Sequence, residues 1–389
     1  MTLSVSARIG VAGAAVVGVA FGVARYAYGL TLPDIQEDLG LSEPVLGLIA
    51  SATFAGYLAG LLLARLLAAR YGSRAPTTVG GACGALGAAI VMLADSPGLL
   101  AVGAVLAGSA GGWVWAPYSD IVTRAVPSRH QPRTLAIITT GTSGGLVLLG
   151  LLGLLGIWGT WRLVWVGLAL AAAGAAVANV SLTPRTEPTS PHEGGWRLAE
   201  LARRLRAPGI YSLVYFAVTV IYFTYAADRI ETGDLPAAAA PGLYAVVGLT
   251  GVVAVTTGAL ARRWGSSRVA ATCLIAVAAA LTLLALAADS VAATAVSAAV
   301  FGAAYMTGSA ILAVWTAERV PDRAGAAFTG CLVVGAVGSV AAPAVAGPLI
   351  PVLGLAALLV GTAAVSLLTG VALMLRGSAG GGTDAPPAP

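Results

Sequence analysis

Few residues in this chain of 389 could do chemistry, and the sharpest is Arg25, set in FGVARYAYGLTLP (21–33) well inside an apolar run. A charge near the centre of a spanning helix costs about 2.5–3.5 kcal/mol on insertion scales, so it faces a protein-lined or watery cavity rather than lipid. Its guanidinium is a fixed fork of donors that suits carboxylate or phosphate, which favours an anionic solute. Two structural readings stand beside that one. Arg25 lies about 7 Å outward of the run's midpoint, from which it can snorkel to the outer headgroups, or it can hold another helix through backbone carbonyls. At roughly 100° per residue, Gly18, Phe21, Gly22, Arg25, Tyr28 and Gly29 share one helix side, where small residues leave room beside the guanidinium.

Aromatic and hydroxyl side chains form the second set. Tyr211, Tyr215, Tyr222 and Tyr225 fall within one arc of about 80° by the same geometry. The central pair, Tyr215 and Tyr222, could meet a ligand; packing between helices and interface anchoring are the alternatives. Trp113, Trp115 and Tyr118 lie in one apolar run, and Tyr305, Ser309 and Thr316 share a side of another. Gly141-Thr142-Ser143-Gly144-Gly145 satisfies G-x-S-x-G, but that nucleophile needs a strand-turn-helix elbow and a nearby histidine, whereas this one sits in an apolar helical run suited to close packing. Catalysis is therefore not expected. Cys83, Cys273 and Cys331 have no metal-like spacing, so neither a disulfide framework nor a metal site is inferred, and no cofactor is implied.

The elements that must position these residues are membrane spans. Hydrophobic residues make up 58% of the chain and charged residues 10%, and the mean hydropathy of +0.90 excludes a soluble domain. Apolar runs of about 20 residues, each long enough to cross a hydrocarbon core of about 30 Å, lie near 9–31, 44–68, 76–94, 98–122, 134–156, 161–182, 208–227, 242–262, 269–288, 291–316, 326–350 and 355–375. Every basic residue is arginine. With a cytoplasmic N-terminus, 18 of the 21 fall in cytoplasmic loops, tails or span ends, leaving Arg25 inside the membrane and Arg162 and Arg229 outside. This is a positive-inside pattern; it accounts for the pI near 9.3 without nucleic acid and puts both termini in the cytoplasm.

The predicted organisation is a six-helix half (1–182), a cytoplasmic linker (183–207) with a short surface helix around Trp196, Leu198, Leu201 and Leu205, a second half (208–375), and a disordered Gly/Pro-rich tail (376–389). The halves repeat. Asp95-Ser96 recurs as Asp289-Ser290 and Val126-Pro127-x-Arg129 as Val320-Pro321-x-Arg323, both at an offset of 194, while Arg70-Tyr71-Gly72 recurs as Arg263-Trp264-Gly265 at 193. An internal repeat of this kind marks secondary transporters, which bind substrate near the midplane between the repeats. The expected fold is an all-α integral membrane protein of twelve transmembrane helices in two pseudo-symmetric six-helix bundles. Arg25 maps onto Thr219, so there is no symmetric arginine pair.

On these features the chain resembles the major facilitator superfamily over nearly its whole length. The family pattern after the second span is G-x-L-A-D-R-x-G-R-R; here the halves read RLLAARYGSR from Arg65 and GALARRWGSSR from Gly258, with Ala69 and Arg262 at the aspartate position. The salt bridge of that aspartate is therefore replaced, and the expected latches pair Asp120 with Arg70 or Arg74 and Glu318 with Arg263 or Arg268. FGVARYAYGLTLP and LIASATFAGYLAG look like the patterns of the YbfB/YjiJ-like branch. In the superfamily, spans one, four, seven and ten face the cavity, so the resemblance implies a substrate site of Arg25, Tyr28, Trp115, Tyr118, Tyr215, Tyr222, Tyr305 and Ser309.

The expected function is a secondary transporter that moves a small organic solute, an anion favoured, across the cytoplasmic (inner) membrane by alternating access. A monomer in the lipid bilayer is expected. A multidrug or hydrophobic-compound exporter is the alternative, although span five lacks the Gly-Pro pair of the family's antiporter motif; a receptor or assembly factor would keep the fold without the cargo. No carboxylate or histidine lies near a midplane, which leaves the coupled ion open, with Asp34, Asp120 and Asp228 as candidates if it is a proton.

Overall fold

The computed structural model describes residues 4–188, 198–233 and 235–379, and among these it contains no strand. Twelve helices are long and apolar enough to cross a membrane. Spans 1 to 6 are Val5–Leu39, Glu43–Tyr71, Arg74–Met92, Pro97–Ala125, Ser128–Ile157 and Trp161–Leu182. Spans 7 to 12 are Arg206–Glu231, Ala239–Trp264, Ser266–Leu286, Val291–Arg319, Pro321–Leu353 and Leu355–Arg376. The protein is a multi-pass membrane protein, and its ends follow local chemistry. Pro44 and Pro97 open spans 2 and 4 in the first turn, where a missing N–H is no loss.

Spans 1–6 pack on one another, as do spans 7–12, and the halves meet through spans 1 and 7, 2 and 11, and 5 and 8. Exchanging the halves turns the 2–11 contact into the 8–5 contact, so the interface carries the pseudo-two-fold of the repeat. The cross-half contacts lie towards the face opposite the linker. A Cβ at Gly47 of span 2 would sit 2.6 Å from the Pro343 carbonyl of span 11, and one at Gly150 of span 5 would sit 2.6 Å from the Pro241 carbonyl of span 8. Ser51 also donates to the Val340 carbonyl at 2.6 Å. Towards the linker face the halves separate: Trp115–Ala125 of span 4 and Thr257–Trp264 of span 8 pack mainly within their own halves.

The repeated loops correct the expected latches. Gly72 and Gly265 adopt φ of +78° and +82°, turns that favour glycine, and each is followed by a serine that meets the carboxylate. Ser73 donates to Asp120, which also takes Arg124 at 2.8 Å; Ser266 donates to Glu318 at 2.7 Å. Among the described ion pairs none joins these carboxylates to Arg70, Arg74, Arg263 or Arg268. Arg70 and Arg263 instead lie 5.4 and 5.9 Å from the rings of their neighbours, Tyr71 and Trp264. The turn delivers the residue after glycine, not the one before it, to the acid.

In the linker, Leu198–Arg204 forms a short helix that runs into span 7 through Leu205; Trp196 lies outside the described residues. The last helix continues to Ala379, past the expected boundary at Arg376, and the rest of the tail also lies outside the described residues.

Candidate functional site

Between the halves lies a cavity of about 200 Å³. Two irregular helices shape it. Span 1 passes through a π-helical stretch, Gly18–Ala24, and restarts at Ala27, and span 4 tightens into a 3₁₀ turn at Ala110–Trp113 before restarting at Trp115. Such stretches change the helical phase and re-aim side chains. Gly18 and Gly22 press against Gly141 and Gly145 of span 5, so the G-x-S-x-G sequence is a packing surface and span 1 is pinned just below Arg25.

Arg25 is 3% exposed and borders the cavity. Its guanidinium carbon lies 4.4 Å from the ring centre of Tyr57, 5.3 Å from Phe54, 5.7 Å from Tyr26 and Phe216, and 5.8 Å from Phe21. No carboxylate pairs with it among the described ion pairs, and Nε and Nη2 have no hydrogen-bond partner. The charge is met by aromatic faces, contacts worth from about 0.5 kcal/mol when exposed to about 2 kcal/mol or more when desolvated. Part of its hydrogen-bonding capacity, at Nε and Nη2, is left unused.

Above Arg25, towards the face opposite the linker, aromatic rings close the seam. Tyr26 stacks on Phe223 at 3.7 Å, and its hydroxyl meets that of Tyr305 at 2.6 Å, one half bonded to the other. A Cβ at Gly29 would collide with the Phe223 carbonyl, so glycine permits this approach. Below Arg25 the walls carry Thr139, Thr142 and Ser309 as hydroxyl groups, and Met306, Phe328 and Leu332 as apolar ones.

Of the residues expected at a substrate site, Arg25, Trp115, Tyr305 and Ser309 border the cavity. Tyr28, Tyr118, Tyr215 and Tyr222 are turned away from it. Tyr28 donates to the Leu46 carbonyl at 3.0 Å, because the π-helical stretch rotates Tyr26 to the seam in its place. Tyr118 donates to Asn179 at 2.6 Å inside the first half. Three tyrosines of the span 7 stripe face span 10: Tyr211 donates to the Gly308 carbonyl at 3.0 Å, Tyr215 to the Tyr305 carbonyl, and Tyr222 pairs with Ser297 at 2.9 Å. Arg229 donates to the Ala285 carbonyl at 2.9 Å and so caps the end of span 9.

Tyr57, Phe216, Thr139 and Phe328 are wall residues not anticipated. Tyr57 was within reach, since it sits in the AGYLAG stretch; the other three carry no signal in the sequence beyond being apolar or hydroxylated residues in a span.

The family model described as Major Facilitator Superfamily matches residues 14–343. The purine ribonucleoside efflux pump NepI of Escherichia coli is 27% identical over 200 residues, covering 50% of this chain and 50% of that protein. The chain thus spans about half the length of the curated relatives it matches. Among solved structures, a point mutant of the nucleoside transporter NupG superposes with a TM-score of 0.77 at 13% identity, over 94% of this chain and 99% of that one. A bacterial homologue of the human lysosomal transporter Spinster superposes with a TM-score of 0.66 at 17% identity, over 97% and 96%. These structural likenesses show the fold.

Proposed function

Because the chain belongs to the Major Facilitator Superfamily, we propose that it is a membrane transporter that moves a small planar heteroaromatic solute of the nucleoside kind by alternating access. The observation that carries this reading is the aromatic box around Arg25. Five ring faces already offset the guanidinium charge, so the site lacks acceptors rather than a counter-ion. An uncharged ring with acceptor edges meets that need and stacks on the same walls, and the names of the relatives, NepI and NupG, are in keeping with it. The expected preference for an anion gives way here on physical grounds: a free anion would exchange strong hydration for a charge that the rings already screen.

With the linker face cytoplasmic, as the arginine distribution implies, the cavity faces inward and the seam at Tyr26, Gly29 and Phe223 is the closed outer gate. No carboxylate or histidine borders the cavity among the described residues, so a coupled proton would be carried elsewhere.

Proteoliposomes loaded with labelled nucleosides, organic carboxylates or cationic dyes test the proposal. Saturable nucleoside flux, with Arg25→Ala lowering it at least tenfold, is expected. Carboxylate flux without nucleoside flux would sink the reading. Export of a hydrophobic compound is the second reading, favoured by Met306, Phe328 and Leu332 on the wall; dye flux that survives Arg25→Ala would select it.

A further inference from the structure

A second cavity, of about 520 Å³, lies away from the central one, between the linker helix, the start of span 7 and span 11. Its walls are apolar: Leu201 and Leu205 above, Ile210 and Leu213 on span 7, Val334 on span 11. It is hollow because two of its wall positions are glycines. At both Gly209 and Gly330 an added Cβ would meet nothing within 4 Å. The hydroxyl of Ser212 beside it is consumed by the Cys331 carbonyl at 2.6 Å, so that polar group of the floor is already satisfied. One charge lines the groove, that of exposed Arg206, and exposed Arg203 follows on the linker helix.

We propose that this groove holds one acyl chain of an anionic phospholipid, with the phosphate on Arg206. The groove offers the two halves of a phospholipid in the right order. The apolar part runs inward from the linker face, along Ile210 and Leu213 of span 7 and Gly330 and Val334 of span 11, and the cation stands at the linker-face end. A soluble apolar ligand would leave Arg206 unused, and a free phosphate would leave the groove empty. Ile210, Leu213 and Val334 are exposed on a membrane protein, so lipid reaches them. The linker helix runs into span 7 through Leu205, and the bound chain fills the space between its Leu201 face and span 11, tying the linker to the second half.

The test uses the full chain in an uncharged detergent, titrated with short-chain phosphatidylglycerol, phosphatidylcholine or glycerol phosphate, and reads lipid bound by native mass spectrometry together with the thermal midpoint. Phosphatidylglycerol should bind about fivefold tighter than phosphatidylcholine, the effect of one arginine beside an anionic headgroup, and should raise the midpoint. Arg206→Gln should erase the difference between the two lipids. Gly330→Leu, which fills the groove with a good helix former, should remove binding of both while the midpoint without lipid stays level or rises. Equal binding of the two lipids overturns the proposal, as does binding unchanged in Gly330→Leu, which would mean that surface charge alone attracts the lipid. A response to glycerol phosphate matching that to the lipid overturns it too.

Discussion

At the scale of single residues, Arg25 shows how a charge can live inside a membrane without a counter-charge. A buried ion replaced by an apolar residue of similar length is often neutral or stabilising, because its desolvation cost disappears. Arg25→Met should therefore leave the thermal midpoint level or higher, while substrate affinity falls about tenfold to a hundredfold, as expected for hydrogen bonds to a charged group. Thermal unfolding and ligand titration on one preparation check both halves of this. A lowered midpoint with unchanged affinity would show that the residue only holds helices. The Tyr26–Tyr305 pair makes a second case. Tyr305→Phe leaves the Tyr26 hydroxyl without its partner across the seam, at a cost of about 1 kcal/mol. The ratio of closed to open forms should fall by about fivefold, as read from spin-label distances across the face opposite the linker.

At the scale of elements, helix phase decides what a side chain does. The π-helical stretch Gly18–Ala24 sends Tyr26 to the seam and Tyr28 to a carbonyl of the same half. At Gly29 the backbone of span 1 lies directly against that of span 7, so Gly29→Leu should hold the seam open. Labelling of a cysteine introduced beside Phe223 should become fast from the face opposite the linker, and transport should cease; slow labelling would show that the helices part without this contact. The loops after spans 2 and 8 obey a different logic, in which a left-handed glycine presents serine to an acid. Ser73→Ala should destabilise the first half by about 1 kcal/mol, the worth of one such hydrogen bond, and Arg70→Ala should change stability little. Denaturation of the two variants side by side decides it: a larger loss in Arg70→Ala would restore the arginine latch.

At the scale of the whole molecule, the two halves form one structure closed on one face and parted on the other. The arginine distribution predicts which face is cytoplasmic. Reporter fusions to either end of the chain should both be active inside the cell, and a fusion after Asp95 should report the outside; opposite results for the two termini would contradict the twelve-span topology. The pairing of spans 2 with 11 and 5 with 8 also has a mechanical consequence. Opening the face opposite the linker must break both contacts together, since the pseudo-two-fold relates them.

The spans, their number and the repeat were legible from residues alone. Hydropathy over about 20 residues is a local property, and motifs such as Asp95-Ser96 and Asp289-Ser290 repeat in one dimension. So was the anomaly at Arg25, because a charge in an apolar run needs no structure to be seen. The walls of the cavity were not. Their composition depends on where Gly18–Ala24 and Ala110–Trp113 depart from the α-helix, on span 7 turning Tyr211 and Tyr215 to the backbone of span 10, and on Tyr57 and Phe216 arriving from opposite halves to cover one guanidinium. Those are facts of packing between segments far apart in sequence, and they turned an expected anion clamp into a cation held by rings.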